Sequence, residues 1–266
     1  MTYLGGVFQD GKLVINASAG PSEIDPLRAG YAKASPFPNM VIDNFLSPEL
    51  ADRLSDNFPP PDLASVSRIS QHQYLKRGYR PSSLGEHPSV ALLKAFNSKP
   101  MIDLLESLTG HQNLVADPDF VGGGFHEIER GGHLDVHADF NLHPQLQLIR
   151  RINLIVFLNR AWDQDWGGAL ELWPPDMRAC AVSVLPIFNR AVIFDTGKMC
   201  FHGHPGPLKL PKGLTRRSMA LYFYSAQTAA DSNVDTATNW RNRPEQGTLA
   251  SKWMLRARRA WRAIGN

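Results

Sequence analysis

The chain has 266 residues, 43% of them hydrophobic and 20% charged, an ordinary balance for a globular protein with a sizeable core. Its 28 basic and 25 acidic side chains give a formal net charge of +3, too little to indicate a nucleic-acid partner, and none is expected. Cys180 and Cys200 alone build no disulfide framework, the opening residues lack a secretory apolar core, and no apolar run reaches the roughly 18–20 residues of a transmembrane segment, so a cytoplasmic location is expected.

In chain order, the pattern predicts a single domain over 1–266. An N-terminal strand and helical support occupy about 36–118, a core about 119–225, and a C-terminal helical tail about 248–264. Ser47 is a candidate N-cap, Pro48 fits the first helical position, and Leu50 and Leu54 lie four apart; 58–61, Phe-Pro-Pro-Pro, ends that helix. A second helical stretch runs from about Ser89 through Leu108, with Val90, Leu92, Leu93, Phe96, Ile102, Leu104 and Leu105 as its apolar face. These helices are expected to buttress a sheet. Loops 61–88 and 141–150 are expected to form the mouth of a site.

From 131 onward the pattern changes to short strands. Residues 131–139 place Leu134 and Val136 opposite polar neighbours, and 150–159 is an apolar run bounded by polar residues. Residues 166–173 give a glycine turn and then alternation. Further strands follow at 189–195, 199–204 and 216–224. Short strands separated by Gly and Pro indicate an antiparallel sandwich or jelly roll.

One triplet carries chemistry. His137 and Asp139 are two apart, so on a strand they point to the same face and can converge on one ion. Phe201-His202-Gly203-His204 supplies a distant imidazole, from His202 or from His204. Two imidazoles and a carboxylate can occupy one face of an octahedral metal and leave the other positions open, the pattern of a non-haem Fe(II) site. A carboxylate facing a barrel interior must be paired or bind metal, and Asp139 is the residue that makes this reading more than a surface His-x-Asp.

With these motifs in order, residues from about 122 to 225 resemble the core of the prolyl 4-hydroxylase-like 2-oxoglutarate/Fe(II) dioxygenases. The resemblance rests on His137-Ala138-Asp139, Phe157-Leu158-Asn159, Asp163, Trp166-Gly167-Gly168, Phe201-His202-Gly203 and Arg216-x-Ser218, and residues 36–46 resemble the family's leading strand. It implies an α+β fold with a double-stranded β-helix (jelly-roll) core. It also implies Fe(II) as metal, 2-oxoglutarate and O2 as co-substrates, and ascorbate as a candidate reductant. The implied activity is hydroxylation of a C–H bond in a prolyl residue, an amino acid or a small metabolite. Aromatic-His-Gly favours His202 over His204 as the distal ligand. The carboxylate at 139 argues against halogenation.

The resemblance extends to the co-substrate. A buried carboxylate of 2-oxoglutarate needs a cation. The family step places Arg216 inward and Arg217 outward, with Ser218 as a further donor. Relatives often carry a tyrosine where Phe157 stands. Asn153, four residues earlier, is a candidate replacement donor or a substrate contact. Glu127 is a candidate for the same pocket. A small-molecule or peptidyl substrate is the expected partner.

Residues 251–262 form a basic amphipathic pattern, read as a packed C-terminal helix with a peripheral membrane or acidic-partner contact as its alternative. Two other classes stay open at this stage. One is a binding or regulatory module that has lost turnover. The other is a cupin-type metal enzyme independent of 2-oxoglutarate. Production of succinate from 2-oxoglutarate separates both from the hydroxylase reading.

Overall fold

The computed structural model describes residues 2–9, 12–229, 231 and 234–244. The basic pattern at 251–262 lies outside them. The N-terminal part contains strands β1 (Leu4–Gln9), β2 (Lys12–Ala17) and β3 (Asn39–Ile42), with helices α1 (Pro21–Tyr31) and α2 (Pro48–Asp56). A hairpin of β4 (Val66–Ile69) and β5 (Gln73–Tyr79) follows, then helices α3 (Pro81–Leu84), α4 (Ser89–Ala95) and α5 (Lys99–Thr109) and the short β6 (Val115–Ala116). The core strands are β7 (Gly124–Ala138), β8 (Ile149–Phe157), β9 (Leu170–Trp173), β10 (Val182–Val184), β11 (Ala191–Asp195), β12 (Phe201–His204) and β13 (Thr215–Ser225), and β14 (Asn239–Trp240) closes the list.

β1 and β2 form a two-stranded sheet, and the other strands form one antiparallel sheet whose main order is β10-β9-β12-β7-β13-β8-β11-β3, with β5 and β14 pairing with β7, β4 with β5 and β6 with β13. The long β7 belongs to both halves of it. Its first part pairs with β13, from Gly124 opposite Ala220 to Glu129 opposite Thr215. Its second part pairs with β12, with His137 opposite His202. The sheet therefore folds over on itself into a nearly closed barrel, a double-stranded β-helix with few helices.

The helices sit where their sequence directs. Ser47 caps α2 by accepting a hydrogen bond from the Leu50 amide at 3.3 Å, and Leu50, Ala51 and Leu54 are buried. Full burial of one such leucine contributes roughly 2 kcal/mol. The expected helix over 89–108 is two helices. Pro100 lacks an amide hydrogen and stands in the first turn of α5, so one continuous helix would lose a hydrogen bond there. Leu92, Leu93, Phe96, Leu104, Leu105 and Leu108 join a single apolar cluster with Leu154 and Val156 of β8 and Leu221 and Phe223 of β13. The helices thus support one outer face of the barrel and leave its lumen open.

Among the elements that escape the sequence reading are the β1–β2 hairpin, α1, and the β4–β5 hairpin inside the segment expected as a loop at 61–88. β5 pairs with β7 and covers one side of the barrel mouth.

Candidate active site

Two irregularities set which side chains face the lumen. The first lies in β7. His202 and His204 on β12 stand opposite His137 and Leu134, so two steps on β12 span three on β7. The additional residue shifts the alternation, and Leu134, His137 and Asp139 all line the same cavity. Gly203 permits this close pairing, because a Cβ there would come within 2.8 Å of the Leu134 and Asp135 carbonyl oxygens. The second lies in β8, where the register with β13 shifts between Phe223 and Tyr224. It turns Arg150 inward and leaves Arg151 outside, paired with Asp231 at 2.5 Å.

Within the cavity, His137, Asp139 and His202 offer ligand atoms that all lie within 4.8 Å of one another. His137 Nδ1 donates to the Asp135 carbonyl at 2.9 Å, and His202 Nδ1 donates to the Cys200 carbonyl at 3.2 Å. Both rings are thereby fixed in the tautomer whose Nε2 carries a free lone pair. Those Nε2 atoms face Asp139, at 3.4 Å from Oδ1 and 3.7 Å from Oδ2. Burial first, and then the neighbouring His137, push the His202 imidazole down to about 4, so it is neutral at physiological pH. Burial disfavours the Asp139 carboxylate, but Arg150 and the two histidines outweigh it and hold the group well below the usual carboxylate range. Two neutral imidazoles and one ionised carboxylate fit a divalent metal.

Arg150 is a residue that sequence reasoning missed. Its guanidinium is fully buried, pairs with Asp139 Oδ2 at 2.9 Å, and lies 3.9 Å from the Tyr222 ring centroid and 4.1 Å from that of Phe140. Regular alternation along β8 would turn it away from the lumen. Trp240 was also missed; it packs 5.0 Å from His137 and 4.7 Å from His72, centroid to centroid.

Arg216 is buried and lines the cavity, whereas Arg217 lies on the outer face, half exposed, over the Phe58 ring. Arg216 Nε donates to the Gly168 carbonyl at 2.8 Å, and its guanidinium stands 5.0 Å from the Phe157 centroid. Gly168 is needed there, since at φ +72° a Cβ would meet Leu208 at 2.5 Å and Arg216 Cδ at 3.2 Å. Among the described residues Arg216 has no carboxylate partner, and burial pushes its guanidinium down to about 9. Ser218, two residues on, also faces the cavity.

Two expectations need correction. Glu127 does not reach the cavity. The bulge in β7 inverts its phase relative to His137, and its carboxylate accepts from Tyr79 Oη and Thr215 Oγ1 at 2.8 Å each and from Arg77 at 3.2 Å, all on the outer face. Asn153 does line the cavity, but opposite Tyr222 and not beside Arg216. Its Nδ2 lies 3.4 Å from Asp139 Oδ2, at the metal end, so it does not replace a donor at the Arg216 end. His204, the alternative distal imidazole, does not belong to the ligand cluster. It is buried in the cavity wall, and neither ring nitrogen has a hydrogen-bond partner.

Residues of the other motifs act on the frame. Asn159 accepts from the Arg217 amide and donates to the Thr215 carbonyl, both at 2.7 Å, which ties the end of β8 to β13. Asp163 caps the short turn Gln164–Trp166 by accepting from the Asp165 amide at 2.9 Å.

Residues 123–224 match the family model of the 2OG-Fe(II) oxygenase superfamily. No curated protein matches the chain. Among solved structures, a Trichoplax adhaerens prolyl hydroxylase in complex with a hypoxia-inducible-factor peptide fragment superposes with a TM-score of 0.55 at 15% identity, covering 78% of this chain and 94% of that one. A Pseudomonas putida prolyl-4-hydroxylase gives 0.50 at 16% identity over 75% of this chain and 98% of that one. HygX from Streptomyces hygroscopicus, solved with nickel and 2-oxoglutarate bound, gives 0.51 at 10% identity over 84% and 98%. No described helix is long and apolar enough to cross a membrane. Over residues 123–224 the chain is similar to the 2OG-Fe(II) oxygenase superfamily, the solved structures share its fold, and the His137, Asp139 and His202 cluster fits the metal that the family's description names.

Proposed function

We propose that this protein is an Fe(II)- and 2-oxoglutarate-dependent dioxygenase that hydroxylates a C–H bond of a small-molecule or peptidyl substrate, with His137, Asp139 and His202 as iron ligands and Arg216 as the seat of the far carboxylate of 2-oxoglutarate. The observation that carries the reading is one cavity holding both a metal-capable triad and a buried arginine without a carboxylate partner. When bound, Fe(II) and 2-oxoglutarate would supply, with O2 as the oxidant, chemistry that couples decarboxylation of the co-substrate to hydroxylation.

The protein's own part is positional. The Asp135 and Cys200 carbonyls aim the two imidazoles. Arg150 and Asn153 hold Asp139 Oδ2. Arg216 offers a desolvated guanidinium whose interaction with a carboxylate is strong because water is excluded. Ser218 lies beside it as a second donor. Ile128, Leu134, Ile155 and Leu170 form apolar wall that keeps water from the reacting groups. A fold neighbour solved with a divalent metal and 2-oxoglutarate supports the co-substrate assignment, and another solved with a peptide keeps peptidyl substrates alongside small molecules.

Anaerobic titration with Fe(II) and 2-oxoglutarate tests the site without a substrate, through the visible absorption of the metal chelate. Wild type should develop the band and His137→Gln should not. Absence of the band in wild type, with the protein folded, overturns the assignment.

A further inference from the structure

β12 carries two histidines two residues apart, and the metal-capable triad includes one of them. His202 turns Nε2 toward Asp139 and donates from Nδ1 to the Cys200 carbonyl. His204 is 3% exposed and lines the same cavity, and neither of its ring nitrogens has a hydrogen-bond partner. An imidazole carries at least one N–H in every protonation state found in proteins, and leaving that donor buried and unpaired is costly. Buried polar side chains are paired as a rule, so an exception inside a binding cavity marks a group kept for a ligand.

The position of His204 decides which part of a ligand it meets. Side chains two residues apart on a strand share a face and stand about 6.6 Å apart along it. The metal would be held at His202, so His204 lies one such step away from it, and the step leads toward Arg216. β12 pairs with β9 with His202 opposite Leu172 and Gly203 opposite Glu171, and the same register brings Leu170 beside His204. Leu170 lines the cavity two residues beyond Gly168, whose carbonyl accepts from Arg216 Nε at 2.8 Å. The charges around the two histidines divide in the same way. Arg216 acts on His204 more strongly than any other charge, whereas on His202 the strongest are His137 and Asp139. His202 belongs to the metal end of the cavity and His204 to the arginine end.

Resting on the function proposed above, we infer that His204 binds the co-substrate, with a ring N–H donating to the far carboxylate of 2-oxoglutarate, which Arg216 and Ser218 meet from β13. A co-substrate chelated at His202 through its 2-oxo acid end runs along β12, and its reach to the other carboxylate is comparable with one strand step of two residues. Phe157, whose ring faces Arg216 from β8, donates nothing, so the donors for that carboxylate come from β12 and β13. His204 then selects 2-oxo acids that end in a second carboxylate over those that end in a methyl group.

Two 2-oxo acids with the same carbon chain separate this contact from a general effect. 2-Oxopentanoate has a methyl group where 2-oxoglutarate has its far carboxylate. Each is titrated anaerobically into the Fe(II) protein, and the visible band of the metal chelate is followed. Wild type should bind 2-oxoglutarate more tightly than 2-oxopentanoate. His204→Leu should raise the 2-oxoglutarate concentration at half-saturation about tenfold or more, the loss expected when a donor to a charged acceptor is removed. It should not weaken 2-oxopentanoate, and at saturating 2-oxoglutarate the band should keep its position and intensity, because the metal ligands are untouched. His204→Gln, which keeps an N–H close to the place of Nε2, should restore part of the preference. The ratio of the two affinities is taken within one protein, so a lower stability or folded fraction does not alter it. A His204→Leu protein that keeps the wild-type preference, or that weakens both acids alike, overturns the inference and leaves the iron and co-substrate assignment standing. Absence of the band in wild type with either acid would instead overturn that assignment and this inference with it, so the two failures are distinguishable.

Discussion

Glu127 and Asp139 are both carboxylates on β7, both largely withdrawn from water, and their surroundings differ completely. Glu127 accepts from two hydroxyls and lies against Arg77 and Arg217, so its charge and both oxygens are matched by the protein itself. Asp139 faces one arginine, a long contact from Asn153 and two imidazole nitrogens that carry lone pairs instead of hydrogens. β13 repeats the contrast. Arg217 rests on Phe58 and Glu127 outside the barrel, and Arg216 is buried inside with no carboxylate. The outer face of this strand pair is electrostatically complete, and the inner face is incomplete. Incompleteness of buried polar groups is what distinguishes the site from an ordinary ion-pair network.

The largest effects should come from the incomplete face. His137→Gln, Asp139→Asn and His202→Gln should each reduce 2-oxoglutarate-dependent succinate formation to background, because a three-ligand site loses metal and orientation together. His204→Ala should retain the Fe(II)–2-oxoglutarate absorption. The comparison breaks if His204→Ala loses the band while His202→Gln keeps it.

Next in size is the arginine pair. Arg216→Ala should weaken 2-oxoglutarate binding by about 3–5 kcal/mol, the cost of removing one partner of a buried charge pair. Arg217→Ala should leave that affinity within about twofold, equivalent to less than 0.5 kcal/mol. Anaerobic titration of the chelate band measures both variants. Equal losses would mean that both faces of β13 communicate with the co-substrate.

Much of this contrast could be read from the chain and part of it could not. The core strands and the α2 cap at Ser47 follow from regular alternation and local capping, which depend on neighbouring residues, and the inward turn of Arg216 follows from the family resemblance at Arg216-x-Ser218. The errors fall at bulges. Glu127 is an even number of residues from His137, so simple alternation puts both on one face, and the additional residue between Leu134 and His137 separates them. Arg150 reads as an outward strand end until the β8–β13 register shift turns it in. A bulge is set by how a strand meets its partner, and that pairing is long-range. The β4–β5 hairpin reads as loop because polar residues of β5 face the cavity, and a strand lining a polar cavity lacks the usual apolar periodicity.

The complete face should fail in stability instead of chemistry. Glu127→Ala removes the acceptor shared by Tyr79, Thr215 and Arg77, and should destabilise the fold by about 3 kcal/mol. Iron and 2-oxoglutarate affinities of the folded fraction should stay near wild type. Urea unfolding and the chelate titration, on the same sample, separate the two readouts. A Glu127→Ala protein that keeps its stability and loses 2-oxoglutarate would return Glu127 to the pocket.

The smallest expected effect is on pH dependence in the metal-free protein. His202 titrates near 4 in the folded state, below the ordinary histidine value of 6.5, because burial and His137 oppose its charge. Between those values the unfolded chain binds a proton that the folded chain does not. Stability therefore falls as pH drops through that window, by about 1.4 kcal/mol per pH unit for this one group. Asp139 adds nothing there. Its folded value is lowered from 3.8, so its contribution is present throughout the window and is lost only at more acidic pH. Chelator-treated wild type and His202→Gln should be unfolded in urea at pH 6.5, 5.5 and 4.5. The glutamine variant should lose the His202 part of the slope and keep what other groups contribute. Identical slopes would mean that the imidazole is protonated in the metal-free fold, with Asp139 then matched by His202 as Glu127 is matched by its own neighbours, and the contrast between the two carboxylates would hold only with metal bound.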